Sequence, residues 1–187
     1  MKNLAPFIVA SLLLLPAIGQ GSETTNSVIA PHAQDLVSVQ GDRLVPFKSE
    51  RFLKAPCTVL YYGAGWCPDC RRFSPALVAA YDRQLEGKKQ FEVLLLTMDK
   101  TEEGMLKFMR TEKMNWPALA FDRVASAVDL KKYYSNNGIP CLTVIDPSGK
   151  ILLQSKSDQD ANEVLKQLED SLQHKAIKAQ TRTIPTH

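Results

Sequence analysis

The chain has 187 residues, of which 44% are hydrophobic and 23% are charged, and its formal net charge is +3. This length fits one globular domain, and this composition excludes collagen-like and largely disordered chains. The near balance of charge predicts no nucleic-acid partner and no membrane partner for the mature protein.

The first 21 residues are typical of a secretory signal peptide. Lys2 supplies a positive start, residues 4–15 form an apolar run, and Ala17-Ile18-Gly19 offers small residues for cleavage. A retained membrane anchor is the weaker alternative, because the apolar run is short for a bilayer span. We therefore expect a periplasmic or secreted protein with a disordered linker at residues 22–34.

The patterns from residue 35 to residue 174 predict one α/β domain. In chain order they indicate a hairpin at 36–39 and 44–47, a short helix at 49–54 capped by Ser49, a buried strand at 58–62, a helix from Cys70 that contains Pro75, a buried strand at 91–98, a helix from 101 to about 113, a short helix at 129–134, a hairpin at 142–145 and 150–153, and a final helix at 158–174. The strand–helix–strand order in the middle predicts a parallel crossover. Residues 175–187 are expected to form a flexible basic tail.

Four cysteines are present, at positions 57, 67, 70 and 141. Cys67 and Cys70 are separated by only two residues, and a disulfide that closes so small a loop constrains the unfolded chain little. The pair therefore suits redox exchange better than structural bridging, although a static disulfide stays open. A zinc site is disfavoured, because Cys57 and Cys141 form no second such pair. We expect neither a metal nor a bound organic cofactor, and Cys57 is expected to be a small core residue.

The cysteine pair comes where a predicted strand passes into a predicted helix, directly after Gly63-Ala64-Gly65. Thiol–disulfide exchange needs one thiolate nucleophile and a second thiol that resolves the mixed disulfide. Cys67 would lie at the helix N-terminus, where unpaired N–H groups favour negative charge, and Cys70 would be turned inward. We therefore assign Cys67 as the nucleophile and Cys70 as the resolving thiol.

Four stretches of the chain form a specific combination. They are Tyr61–Arg71 (YYGAGWCPDCR), Phe91–Asp99, Gly138–Pro140 and Val144–Gly149. Together they resemble the tryparedoxin and nucleoredoxin branch of the thioredoxin superfamily, and the likeness extends over residues 58–153. The resemblance implies an α/β thioredoxin-like fold with a central mixed β-sheet flanked by helices.

The resemblance also implies a substrate-binding surface around the dithiol. A cis peptide bond is implied between Ile139 and Pro140, in a loop that would present its backbone to the substrate chain. Trp66 would cover the cysteines and Trp116 would lie at the same rim, although core packing is the alternative for each tryptophan. The residues assigned to this surface are Trp66, Pro68, Asp69, Trp116, Ile139, Pro140 and Cys141.

Three positions depart from the family pattern. Tyr61 stands where many thioredoxins have a buried aspartate that assists proton transfer, so the proton route is unassigned. Asp69 stands where the branch usually has proline, and its charge opposes thiolate formation unless Arg71 and Arg72 offset it. Cys141 stands where threonine is more common, close to the dithiol, and we expect a passive role for it rather than resolution of mixed disulfides.

These observations predict an exported thiol–disulfide oxidoreductase. The resemblance favours a reductase of protein disulfides, which an upstream electron-donor redox protein would have to re-reduce in an oxidising compartment. We expect the protein to be a monomer. One alternative is an exported thioredoxin of cytochrome c maturation. The other is a non-catalytic thioredoxin-fold binding module that carries a static disulfide.

Overall fold

The structure, a computed structural model, describes residues 25–85, 90–135, 138–156 and 160–181. The predicted signal peptide at residues 1–21 lies outside the described residues, as does the end of the predicted tail from residue 182. Within the described ranges, no helix has the length and apolar character needed to cross a membrane.

The described residues form one sheet with helices on both faces. Its strands are β1 (Leu36–Gln40), β2 (Arg43–Pro46), β3 (Thr58–Gly63), β4 (Glu92–Thr97), β5 (Ala118–Leu119), β6 (Cys141–Ile145) and β7 (Ile151–Gln154). The α-helices are α1 (Pro68–Leu85), α2 (Glu102–Thr111), α3 (Phe121–Val124), α4 (Val128–Lys131) and α5 (Ala161–Thr181). Short 3-10 helices lie at Ala30–Asp35 and Phe52–Lys54.

The strand order is β2-β1-β5-β4-β3-β6-β7, with parallel and antiparallel neighbours in the same sheet. Strand β3 pairs in parallel with β4 and antiparallel with β6. The predicted parallel crossover through α1 and both predicted hairpins are confirmed. The architecture is the mixed α/β thioredoxin-like fold that the sequence predicts.

Strand β3 is buried along its whole length, and its side chains alternate between two cores. Val59 and Tyr61 face the core that α1, α2 and α5 cover, which we call the α1 face. Leu60 and Tyr62 face the core formed with the 3-10 helices and α4, which we call the α4 face. Because burial on both faces requires apolar residues at every position, β3 shows a continuous apolar run in the sequence.

The prediction of a disordered linker at 22–34 is wrong where the structure describes it. Asn26 is fully buried, and its side-chain amide donates a hydrogen bond to Thr58 Oγ1 at 3.0 Å. Its Oδ1 accepts from the N–H groups of Val28 and Ile29, each at 3.0 Å. Ile29 is also fully buried, in the α4-face core. A polar segment is therefore ordered because its buried amide has its hydrogen bonds satisfied by the fold.

Smaller corrections concern the ends of elements. Ser49 does not cap a helix, because the 3-10 helix begins only at Phe52 and has no side-chain cap. The final helix begins at Ala161 and extends to Thr181, so the first part of the predicted tail is helical. Strand β5 and helix α3 have no counterpart in the sequence analysis, because two and four residues are too few to show a period.

Candidate active site

Two glycines shape the turn that leads from β3 into α1. A Cβ atom at Gly63 would lie 2.7 Å from the ring of Tyr61, and one at Gly65 would lie 2.9 Å from Cβ of Phe108. Larger residues would therefore collide with the core beneath the turn. The glycines let the backbone pass close to the core and deliver Cys67 directly before the first residue of α1.

Cys67 lies at the N-terminus of α1 and next to the loop before β6. Its Sγ donates a hydrogen bond to the Ile139 carbonyl at 3.3 Å and accepts one from the Cys70 N–H at 3.4 Å. The second contact is with an N–H that the helix itself leaves unpaired, and such a donor stabilises a thiolate. The residue is 5% exposed, so Cys67 is buried but retains a small contact with solvent.

Cys70 lies in the first turn of α1 and is completely buried. Burial is the largest influence on its thiol and raises the pKa to about 12. Both Cys67 and Cys70 are free thiols, on the same α1 face of the sheet. The two cysteines are therefore unequal, since Cys67 retains a small exposed area and Cys70 is fully enclosed.

The Ile139–Pro140 peptide bond is cis, as the resemblance implied. The Ile139 carbonyl contacts Cys67 Sγ, so this loop forms one wall beside the outer sulfur. Pro140 itself is buried, whereas Ile139 is partly exposed. The structure thus brings the two distant motifs of the sequence into direct contact at Cys67.

Trp66, Pro68 and Asp69 surround Cys67 on the side of the solvent. Trp66 is 56% exposed, and its indole N–H donates to the Met98 carbonyl at 3.0 Å. Pro68 is exposed at the first position of α1. An exposed aromatic ring that is held by a hydrogen bond offers a preorganised apolar surface beside the outer sulfur.

The charge of Asp69 is compensated locally. Its carboxylate forms an ion pair with Arg72, one turn further along α1. Arg71 is engaged elsewhere, since its Nη1 donates to the Gly65 carbonyl at 2.5 Å. The two arginines considered at the sequence level therefore have separate roles, and Arg72 is the one that offsets Asp69.

Trp116 does not lie at the rim where the resemblance placed it. It is 1% exposed and packs edge-on against Tyr81, with ring centroids 5.4 Å apart. Its indole N–H has no acceptor among the described residues. The alternative of core packing is therefore the correct one for Trp116. The motif locates the residue in the chain, but it does not determine the direction in which the ring points.

Cys141 lies on the α4 face, and the sheet separates its side chain from Cys67. In the sheet it pairs with Tyr62 of the neighbouring strand β3, which also lies on the α4 face. The Cys141 sulfur is 3.7 Å from Ser135 Oγ, and burial raises the pKa of its thiol. Its assignment to the substrate-binding surface is therefore corrected, because the residue next to Pro140 in the chain points away from the dithiol.

Asp99 is a site residue that the sequence analysis quoted without giving it a role. Its Oδ1 accepts from the Gly65 N–H at 3.0 Å, and its Oδ2 accepts from Thr97 Oγ1 at 3.0 Å. Partial burial raises the pKa of this carboxyl. Asp99 thus anchors the loop that carries Trp66 and Cys67. Its position just after the end of β4 is the feature of the sequence that could have indicated a role in the site.

A groove of ≈ 740 Å³ opens beside Trp66, between the dithiol loop and α2. Its lining includes Phe108 and three cationic side chains, those of Arg71, Lys100 and Lys107. Among the described residues, no cluster of three or more His, Cys, Asp or Glu side chains could hold a metal ion. The chemistry that the described site offers is that of two thiols, a helix N-terminus and an adjacent surface for a partner.

The amino-acid sequence is similar to those of nucleoredoxins and tryparedoxins. Nucleoredoxin from Mus musculus is 30% identical over 109 residues, which are 56% of this chain and 25% of that protein. Tryparedoxin from Trypanosoma brucei brucei is 34% identical over 116 residues, which are 62% of this chain and 75% of that one. The chain therefore spans about a quarter of the length of the nucleoredoxin and three quarters of the tryparedoxin.

A solved tryparedoxin structure and a model of the thioredoxin-like family also match this chain. The structure of tryparedoxin from Trypanosoma brucei superposes with a TM-score of 0.57 at 28% identity, covering 74% of this chain and 91% of that one. A model of the thioredoxin-like family matches residues 57–151, slightly more than half of the chain, and includes both the cysteine pair and the cis-proline loop. The chain belongs to the thioredoxin-like family.

Proposed function

We propose that this protein is a thiol–disulfide oxidoreductase that reduces disulfides in other proteins through Cys67 and Cys70. The observation that carries the proposal is the unequal placement of the two sulfurs. Cys67 lies near the surface at the N-terminus of α1 and against the Ile139 carbonyl, whereas Cys70 is enclosed behind it. Exchange requires a nucleophilic thiol that a target disulfide can reach and a second thiol that resolves the mixed disulfide. Cys67 suits the first role, and Cys70 suits the second.

The reaction would proceed in two displacements. The Cys67 thiolate attacks one sulfur of the target disulfide, a mixed disulfide forms, and the other target sulfur leaves as a thiolate that takes up a proton. Cys70 then attacks the Cys67 sulfur, so that the Cys67–Cys70 bond forms and the second target sulfur leaves. The target gains two electrons and two protons, and the pair is oxidised. A dithiol redox protein upstream would restore the two thiols.

The target would bind across Trp66, Pro68 and the Ile139–Pro140 loop. Trp66 supplies an exposed ring, and the loop before β6 can pair with an extended segment of the target by backbone hydrogen bonds. The groove beside Trp66 would receive the flanking residues of the target. This binding surface is confined to one rim of the molecule, which fits a monomer that meets one target at a time.

The place of action that we propose is the periplasm or the extracellular space, on the basis of the signal-like first 21 residues. The static-disulfide alternative is distinguished from an exchanging enzyme by the reduction potential of the pair. We expect a value near or above about −270 mV, which is typical of an exchanging enzyme. A value below about −300 mV would favour an inert bridge.

The test of the proposal is trapping with Cys70→Ser. This variant retains the nucleophile and lacks the resolving thiol, so mixed disulfides with targets should accumulate on Cys67 and dissolve on addition of a reductant. The matched control is the Cys67→Ser, Cys70→Ser double variant, which should trap nothing. Equal trapping by both variants would contradict the proposal. The trapped proteins would also show whether cytochromes are the targets.

A further inference from the structure

The groove beside Trp66 has a definite place relative to the dithiol. It lies between the dithiol loop and α2, just beyond the end of β4, whereas the Ile139–Pro140 loop comes directly before β6. Strand β3 pairs with β4 on one side and with β6 on the other. Because β4 is parallel to β3 and β6 is antiparallel, the end of β4 and the start of β6 lie at the same edge of the sheet. The groove and the proline loop therefore flank the turn from β3 into α1 on opposite sides.

A target segment that binds beside Cys67 can extend over Trp66 into this groove. The Ile139 carbonyl lies 3.3 Å from Cys67 Sγ, so the proline loop contacts the segment on one side of the sulfur. On the other side lies Trp66, which is 56% exposed and forms part of the groove. An extended chain advances about 3.3 Å per residue and neighbouring strands lie about 4.8 Å apart, so residues about two to four positions from the target cysteine would lie over the groove.

The groove presents two lysines whose charge no neighbouring carboxylate neutralises. Lys100 and Lys107 are exposed, and among the described residues no carboxylate forms an ion pair with either of them. Glu103, one turn before Lys107 in α2, lines an adjacent depression and not this groove. Two ammonium groups are therefore free to meet a negatively charged ligand.

The two carboxylates that line the groove are already engaged. Both oxygens of Asp99 accept hydrogen bonds, from the Gly65 N–H and from Thr97 Oγ1. Partial burial raises the pKa of Glu112, and the positive charge of Arg71 opposes this effect. Arg71 thus acts on the one groove carboxylate that makes no contact with the dithiol loop. The positive charge of the lysines remains in excess.

We propose that this groove selects target proteins in which acidic residues lie about two to four positions from the reactive cysteine, and that Lys100 and Lys107 determine this preference. The inference rests on the proposed function, because a target segment reaches the groove only if Cys67 attacks its disulfide. It adds the chemical class of the target, which is an acidic segment of another protein. Complementary charge of this kind increases the rate of encounter and suppresses the wrong partners.

The experiment compares three peptide disulfides as probes for reduced, full-length protein. Each probe is a symmetric dimer of a short peptide whose single cysteine is flanked on both sides by glutamates, by glutamines or by lysines, so that both sulfurs have the same neighbours. Single-turnover rate constants are divided by those for dithiothreitol, which corrects for the intrinsic reactivity of each probe. At low salt we expect the glutamate probe to react about fivefold faster than the glutamine probe and the lysine probe to react slowest. In about 0.5 M salt the ratio should approach one, because salt screens exposed charges.

Substitutions within the groove should change this ratio in opposite directions. The Lys100→Gln, Lys107→Gln double variant should lower it to less than about twofold, whereas Glu112→Gln should raise it, because a repulsive charge is removed. Each ratio compares two probes on the same protein, so changes in the reactivity of the dithiol cancel. The matched control is the Lys132→Gln, Lys166→Gln double variant, which removes two exposed charges outside the groove and should leave the ratio unchanged.

The inference and the proposed function fail on different results. Equal rates for the glutamate and glutamine probes, or a faster lysine probe, would overturn the selection of acidic targets and leave the proposed function intact. A loss of the ratio in the control as large as in the groove variant would also overturn it, because the effect would then come from net charge. A wild-type protein that reduces none of the probes would count against the proposed function, and the inference would fall with it.

Discussion

Each face of the central sheet buries a cysteine and a tyrosine, yet the two pairs are placed for different purposes. On the α1 face, the Tyr61 hydroxyl lies 3.0 Å from Ser74 Oγ in α1, and Cys67 Sγ accepts from the Cys70 N–H at 3.4 Å. On the α4 face, the Tyr62 hydroxyl donates to the Leu130 carbonyl at 2.6 Å. Cys141 on that face contacts Ser135 and has no second cysteine beside it among the described residues.

The face of the sheet on which a β3 side chain lies therefore determines which groups it contacts. Tyr61 and Tyr62 are consecutive in β3, and their partners in β6 are Leu142 and Cys141. Because successive side chains point to opposite faces, one tyrosine faces the dithiol and the other faces a helix backbone. The α1 face is therefore equipped for exchange, whereas the α4 face uses the same residue types for packing and for satisfying backbone groups.

The largest expected effect separates the two faces outright. Cys67→Ser should reduce insulin-disulfide reduction to the uncatalysed background, because serine offers no nucleophile for a disulfide sulfur. The matched control is Cys141→Ser on the α4 face, which should keep most of the activity. Comparable losses in the two variants would show that the faces do not differ as the structure indicates.

The enclosure of Cys70 on the α1 face predicts how the rate of the resolving step depends on pH. Because burial raises the pKa of Cys70 to about 12, only a small fraction of this sulfur is thiolate near neutral pH. The fraction grows as the pH rises, so the resolution rate should increase by about tenfold per pH unit from about pH 7 to about pH 9. Rapid-mixing measurement of resolution at several pH values checks this. A flat profile over that interval would contradict the enclosed, protonated state of Cys70.

A moderate effect is expected from the carboxylate that anchors the dithiol loop. Asp99→Ala removes the acceptors for the Gly65 N–H and for Thr97 Oγ1, and should lower the free energy of unfolding by about 1 to 2 kcal/mol. Turnover should fall as the loop loosens. Urea unfolding and the insulin assay provide the two readings.

The control for Asp99→Ala is Asp129→Ala, in helix α4. Asp129 is half-exposed and pairs with His32 at 2.8 Å, and exposed ion pairs of this kind contribute about 1 kcal/mol or less. Its removal should leave turnover unchanged. Equal losses of turnover in the two variants would indicate that the loop anchor has no special importance.

The smallest effect is expected from Cys141→Thr. The sheet keeps this thiol away from Cys67, so turnover and the amount of mixed disulfide trapped in the Cys70→Ser background should both stay within about twofold of their parents. A rise in trapped complexes only when Cys141 is also replaced would show that it resolves them. The passive role that we expected from the sequence would then be wrong.

Much of the site could be predicted from the sequence because its parts are contiguous. The buried run of β3, the two glycines and the cysteine pair at the start of α1 follow one another within residues 58–70, so local patterns determine how they fold. The cis-proline loop was predicted from the Ile139-Pro140 motif, and the structure confirms its cis bond. The export signal stays a prediction, since residues 1–21 lie outside the described part of the chain.

Sequence patterns identified every strand except β5, together with the dithiol and the proline loop, whereas the packing of the whole sheet set which side chains meet there. Trp116 turned into the core, Cys141 turned to the α4 face, and Asn26 gained a buried partner in Thr58. Each of these outcomes depends on elements far apart in the chain. A hydrophobic pattern records that a residue is buried, but the partner it meets depends on which strands pair and in which register, and only packing of the whole sheet sets that register.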